Sequence, residues 1–291
     1  MRICSLLPSA TEIVFALGLG EQLVGVSEEC DFPPQAQSLP RVTWSRVDTR
    51  ALDSRGIDDA VREAIADGRS LYAIDAEAIE RLRPDVILTQ DLCEVCAVSS
   101  GDVADLCPIG VRVISLDPRT IGEVAESVRV LGNALGRKDR ADEVATRMEQ
   151  SIAAVRDAVA GRPRPRVFVN EWLDPPYAAG HWVPEMVDAS GGEEIFGFAG
   201  EPSRPTTWDE VLAREPELIV VAACGYDAER SAAEARLPEL PCRVVAVDAN
   251  SYFSRPAPRL ADGVTQLAHV MHPNAAADPG LPLVELSPAR A

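Results

Sequence analysis

The chain has 291 residues, 46% of them hydrophobic and 25% charged, an ordinary globular composition with length enough for two modest cores. Its formal charge of −18, from 46 acidic against 28 basic residues with no basic cluster, excludes a nucleic-acid partner, because neutralising phosphates takes grouped Lys and Arg. Apolar runs all fall short of roughly 18 residues, so no membrane span is expected.

In chain order, Arg2 to Leu7 reads as a structural strand, and nothing like the basic, apolar and small-residue regions of a signal peptide stands before it. The sequence as written is therefore expected in the cytoplasm, or in the periplasm or at the cell surface only if a signal sequence was removed. Ser9-Ala10-Thr11-Glu12 is spelled like a capping box and predicts a helix ending near Gly18 and Gly20. A strand follows over Leu23–Val26, then a long loop over residues 27–56 with Val42–Val47 as a candidate short strand inside it. Helices are predicted at residues 57–67 and 76–83, and strands at 85–89 and 111–116. Thr120-Ile121-Gly122-Glu123 is a second capping-box spelling, with apolar residues at helical spacing through Leu131 and Leu135. A helix from Lys138 to Val159, about 33 Å long at 1.5 Å per residue, reads as a rigid connector. Gly161 to Pro165 ends it, and after Pro273 the chain turns to Ala, Pro and Gly and is expected to fray.

The alternation of strand and helix predicts an α/β architecture with parallel-type sheets flanked by helices. It also repeats. Pro84-Asp85-Val86-Ile87 with Val111 to Asp117 returns as Pro216-Glu217-Leu218-Ile219 with Cys242 to Asp248. More loosely, Arg2-Ile3 returns as Arg166-Val167, and Gly20 to Gly25 as Gly192 to Gly197. The organisation expected is an N-terminal lobe over residues 1–137, a connecting helix over 138–161, a similar C-terminal lobe over 162–275 and a tail over 276–291. Two lobes imply a cleft, where small-molecule sites concentrate.

Ligands of parallel sheets bind beyond the carboxyl ends of the strands. That rule selects Cys30, Cys93, Cys96 and Cys224, and, after the strand from Arg166, the residues Glu171, Trp172, Tyr177, His181 and Trp182. Seven cysteines, an odd number in a long chain, do not make a disulfide framework. Cys93-Glu94-Val95-Cys96 has the spacing that lets two thiolates reach one ion, so Cys30, Cys93 and Cys96 either share a metal or iron–sulfur cluster or are cleft-lining or buried thiols. Cys224, from the other lobe, would complete such a site only in a closed form. His181 beside Trp182 is either a ligand to a metal or metal-bearing group, or a histidine hydrogen-bonded at a loop corner. Phe32, Trp44, Tyr177, Trp182, Tyr252 and Phe253 fall mostly in predicted loops, which suits contact with a flat ligand better than core packing. Glu28, Glu29 and Asp31 around Cys30 read as a solvated acidic face. No Ser/His/Asp arrangement, phosphate-cradling glycine loop or paired carboxylates point to an enzyme.

Several segments together resemble a known family: Ser5 to Glu12 with Ala16-Leu17-Gly18, Asp31-Phe32-Pro33-Pro34 with Leu39-Pro40, Asp174 to Tyr177, Gly191 to Phe196, and Tyr252 to Arg259. They are similar to the cobalamin-binding proteins of bacterial ABC importers, within the helical-backbone substrate-binding proteins for cobalamin, siderophores and haem. The resemblance covers nearly the whole chain and places it in a branch without a signal peptide. It implies a metal chelate, cobalamin or a related corrinoid, held between two lobes with Phe32, Tyr177, Tyr252, Phe253 and Arg255 in contact. It also implies docking on an ABC permease through one acidic residue per lobe, Glu77 and Asp209, each seven residues before the repeated proline. The reading of another class is a cytoplasmic thiolate metal or iron–sulfur protein centred on Cys30, Cys93 and Cys96.

Overall fold

The computed structural model describes residues 1–91, 101 and 110–286. The chain divides into two compact units, Met1–Pro118 with Glu126–Ala145, and Arg119–Ala125 with Thr146–Ala291. In the first, β1 (Ile3–Ser5), β2 (Leu23–Ser27), β3 (Arg41–Ser45), β4 (Tyr72–Ile74), β5 (Val86–Thr89) and β6 (Arg112–Ser115) form one sheet among the described residues, in the order β4-β3-β2-β1-β5-β6. All neighbours run parallel except β3 and β4. Strands β1 and β5 are buried along their whole length, as expected of a parallel sheet covered on both faces. Cys4, Leu6, Val42, Ile79 and Ile87 pack as one core on this sheet.

Among the described residues this half holds α1 (Pro8–Ala16), α2 (Ser54–Ala66) and α3 (Ala76–Leu82), and the helices α4 (Ile121–Ala134) and α5 (Lys138–Val159) divide their residues between the two units. The capping box expected at Ser9 is not the helix start: Pro8 stands at the first helical position behind Leu7, and no side chain caps the turn. Proline's fixed φ suits that position, and its missing N–H has no helical partner to lose there. Helix α2 begins earlier than predicted because Asp53 accepts the Gly56 amide at 3.0 Å and caps it. At α4 Thr120 does accept the Glu123 amide at 3.2 Å, but the Glu123 carboxylate turns to the Arg119 amide at 2.6 Å instead of closing the box. Helix α5 has the predicted ends, and its residues are shared between the units at Ala145 and Thr146.

The second unit holds β7 (Arg166–Trp172), β8 (Tyr177–Ala178), α6 (Val183–Ala189), β9 (Glu193–Glu194), β10 (Arg204–Pro205), α7 (Trp208–Leu212) and β11 (Leu218–Val221). It continues with α8 (Ala228–Glu234), β12 (Arg243–Val247), α9 (Ala249–Tyr252), α10 (Leu260–Met271) and β13 (Leu283–Leu286). Among the described residues its strands run in the order β10-β8-β7-β11-β12-β13, with β9 also paired to β7. The centre, β7, β11 and β12, is parallel; β8, β10 and β13 add antiparallel edges. Strand β13 corrects the frayed tail. Leu283 and Val284 pair with Val247 and Ala246, and Glu285 meets Arg243 in an ion pair, so the segment covers an edge that would otherwise be open.

The sequence repeat is the same local structure built twice. Arg83 and Glu215, past the ends of α3 and α7, take left-handed φ values of 45° and 49°, and Pro84 and Pro216 follow. The carboxylates of Asp85 and Glu217 then accept the amides of Arg2 and Arg166 at 2.7 and 2.9 Å. In return the amides of Asp85 and Glu217 donate to the carbonyls of Arg2 and Arg166, both at 2.8 Å. Each arginine Nε reaches back to the end of the preceding helical segment, to the Leu82 carbonyl at 2.7 Å and the Arg214 carbonyl at 3.1 Å. A cation at a helix carboxyl end satisfies carbonyls that have no helical partner. Arg2→Met and Arg166→Met are each expected to lower the unfolding free energy by about 1 kcal/mol in urea titrations. Unchanged midpoints would show these bonds to be dispensable.

Candidate functional site

In the second unit the loops after β7, β11 and β12 are tied into one network at the carboxyl end of the sheet. Asp174-Pro175-Pro176, with a cis peptide at Asp174–Pro175, reverses β7 into β8 and sets Tyr177 opposite Trp172. Glu171 Oε2 accepts the Gly180 amide at 3.2 Å while its carbonyl accepts the Cys224 amide at 2.9 Å, joining the end of β8 to the loop after β11. The Asn250 amide donates to the Tyr226 carbonyl at 3.0 Å, and Arg255 Nη2 donates to Asn250 Oδ1 at 2.8 Å. Trp182 Nε1 donates to the Phe253 carbonyl at 2.7 Å, closing the circuit between α6 and the chain after α9. Asp248 fixes the start of α9 by accepting the Ser251 amide at 2.9 Å.

This network separates the candidate residues into two kinds. Glu171, Tyr177, His181 and Tyr252 keep accessible surface. Phe253 and Trp182, at 2% and 5% exposure, are packed, which corrects the expectation that both offer faces to a ligand. The cause is tertiary: the indole N–H finds a buried carbonyl, and the two rings become scaffold. Arg255 is also buried. Tyr252 lies under Arg259, whose guanidinium carbon is 5.4 Å from the ring centroid.

His181 stands at φ +52°, its amide donating to the Glu201 carbonyl at 2.6 Å and its carbonyl accepting from Gly200 at 2.9 Å. Burial first, and then the nearby Arg119 charge, hold its imidazole below the usual histidine range. Trp172, which the strand-end rule selects, meets Tyr226, which the sequence does not single out. Their rings lie 5.5 Å apart, and Arg230 stacks on Tyr226 at 3.8 Å, making a supported aromatic column beside the strand ends. The strand-end rule that selected Cys224 would have found Tyr226 two positions later.

In the first unit Phe32 and Trp44 are exposed large hydrophobics, at 38% and 39%. Trp44 belongs to β3 rather than to a loop: Val42 and Thr43 are buried beside it and Trp44 turns outward. Arg41 Nη1 donates to the carbonyls of Ser27 and Cys30 at 2.7 and 2.9 Å and holds the turn that leads to Phe32. Glu28 belongs to this scaffold too, its carboxylate accepting the Ser45 amide. Cys30 is fully buried, with Sγ 3.1 Å from Thr11 Oγ1. Cys93 and Cys96 lie outside the described residues, and Cys224 belongs to the second unit. Among the described residues no three His, Cys, Asp or Glu side chains are grouped to hold a metal ion.

Glu77 and Asp209 occupy the same place in the two copies, the second residue of α3 and of α7, and both are exposed. Asp75 caps α3 by accepting the Ala78 amide at 2.7 Å, and Thr207 with Glu210 forms a complete capping box on α7. An acid in the first turn is favoured by the helix dipole, and Glu77 also pairs with Arg81 at 3.6 Å.

Residues 3–241 match the periplasmic binding protein family. The chain is 28% identical over 276 residues to the vitamin B12-binding protein of Yersinia pestis (strain Pestoides F), covering 93% of this chain and 86% of that one. Among solved structures it is similar to the periplasmic vitamin B12-binding protein BtuF of Vibrio cholerae, at 27% identity and a TM-score of 0.64 over 92% of this chain and 94% of that one. A periplasmic heme-binding protein from Pseudomonas aeruginosa shares the fold, with a TM-score of 0.71 at 22% identity over 100% of this chain and 99% of that one. With the α/β fold, the duplicated strand openings and a family match across most of its length, the chain belongs to the periplasmic binding protein family as one of its substrate-binding proteins.

Proposed function

We propose that the chain binds cobalamin or a related corrinoid without transforming it and passes it to an ABC permease. The observation that carries this reading is its 276-residue relationship to a protein named for vitamin B12 binding. The accessible aromatic side chains support it: Phe32 and Trp44 in the first unit, Tyr177 and Tyr252 in the second, offer flat apolar faces suited to a corrin ring. Glu171 brings a polar group suited to its amide side chains, while the buried Trp182, Phe253 and Arg255 keep the loops in place. Glu77 and Asp209, exposed at matching helix starts, would meet basic residues of the permease.

Isothermal titration of the purified chain is expected to give dissociation constants of about 1 μM or tighter for cyanocobalamin and cobinamide. Trp44→Ala and Tyr252→Ala should each weaken binding by about tenfold while leaving the unfolding midpoint unchanged, since truncating an accessible aromatic contact removes ligand packing rather than core. Absence of corrinoid binding at about 100 μM, or tighter binding of haem, would overturn the reading.

A further inference from the structure

The three histidines differ in what their rings do. His269 Nδ1 lies 3.0 Å from the Ala276 carbonyl and His272 Nε2 lies 3.2 Å from the Gly191 carbonyl, so both hold backbone. Among the described residues, the His181 ring packs beside Trp182, 5.7 Å between centroids, and has no hydrogen-bond partner. Its position is nonetheless fixed. The left-handed φ of +52°, uncommon for a residue with a β-carbon, is held by backbone bonds to Gly200 and Glu201 on the facing loop. Gly180 before it is pressed against the same loop, and Trp182 after it is tied to Phe253. The surroundings thus hold an imidazole in a strained place, and among the described residues neither of its nitrogens is used. Burial and Arg119 favour the neutral ring, whose free lone pair is the form that binds metals.

We propose that His181 ligates the metal of the bound chelate through a ring nitrogen. This assignment rests on the corrinoid reading. The nitrogen lone pair enters an axial position of the metal as a bound water leaves, and the oxidation state does not change.

Cob(II)inamide is the probe, because it carries no axial nitrogen of its own. Bound to the full chain, its electron paramagnetic resonance spectrum is expected to show cobalt lines split into three by one nitrogen-14 nucleus. His181→Asn, chosen because asparagine tolerates left-handed backbone, should bind the probe and lose the splitting. Labelling the wild-type chain with nitrogen-15 histidine should turn each triplet into a doublet, a test that needs no variant to fold. Equilibrium dialysis of the same samples measures the bound fraction. Probe that binds with unsplit lines, or splitting that survives the substitution or is untouched by the label, overturns the His181 assignment and leaves the corrinoid reading standing. No bound probe overturns both.

Discussion

Gly180→Ala is expected to lower the unfolding free energy by about 2–4 kcal/mol and to abolish ligand binding. A β-carbon at position 180 would lie 2.3 Å from the Ser203 nitrogen and 2.5 Å from both the Glu201 oxygen and the Pro202 carbonyl carbon. These are backbone atoms, so no side chain can swing aside, and the loop itself has to move. That movement would break the His181 amide bond to Glu201 and the Gly180 amide bond to Glu171. Stability and site geometry should therefore fail together. Gly18→Ala is the control: φ is +73° there and nothing lies within 4 Å of the added atom, so its expected cost is only the left-handed penalty, about 1 kcal/mol. Urea titrations of both variants check the pair, and a Gly180 variant no less stable than the Gly18 variant would contradict the steric account.

The second large effect is expected at Glu194. Its Oε1 accepts the amides of Phe196 and Gly197, both at 3.0 Å, and its Oε2 accepts that of Val169 at 3.3 Å. One side chain thus pins the start of the 195–203 loop to β7. Glu194→Ala leaves three amides without their acceptor and is expected to cost about 3 kcal/mol or more. The same group should give stability a pH dependence. Burial pushes its carboxyl up to about 7, against the three amides and Arg214, which act to lower it. The folded value lies above the ordinary 4.5, so the native state keeps the proton longer than the unfolded chain does. The stabilisation is complete below the unfolded value and is lost as pH rises through the folded one. Glu194→Gln stays neutral throughout. Between pH 5 and 7.5 the wild type should lose on the order of 2 kcal/mol relative to that variant. A constant difference across this range would mean that the carboxyl is ionised from the start.

What could be read in the sequence was whatever depends on neighbours along the chain. The ends of α5 follow from charge pattern and the Gly161 to Pro165 break, and the repeat follows from a motif that forms local bonds in both copies. Placement of Tyr177 and Cys224 beyond strand ends needed only strand direction. Where two local signals competed, the choice failed: Pro8 governs the start of α1 and Ser9 does not. Long-range partners were out of reach. Nothing near Trp182 announces that its indole meets a carbonyl 71 positions away, and nothing near Leu283 announces that β12 lacks a neighbour. The burial of Phe253 and the strand at the tail are therefore tertiary results, and the sheet edges β8, β9 and β10, each two residues long, are too short to carry a period of their own.

The four tryptophans make the protein its own optical probe. Trp44 is partly open to water in the first unit and should emit at longer wavelength, whereas Trp182, buried and bonded to a carbonyl in the second, should emit at shorter wavelength. Trp172 sits against Tyr226 and Trp208 meets Phe168 edge-on, so both sense the second unit as well. Loss of the red edge of the emission therefore reports an event at β3, and loss of the blue edge reports one in the second sheet. A coloured cargo that quenches both would be felt by both units, and the order in which the two edges fade would reveal which unit receives it first.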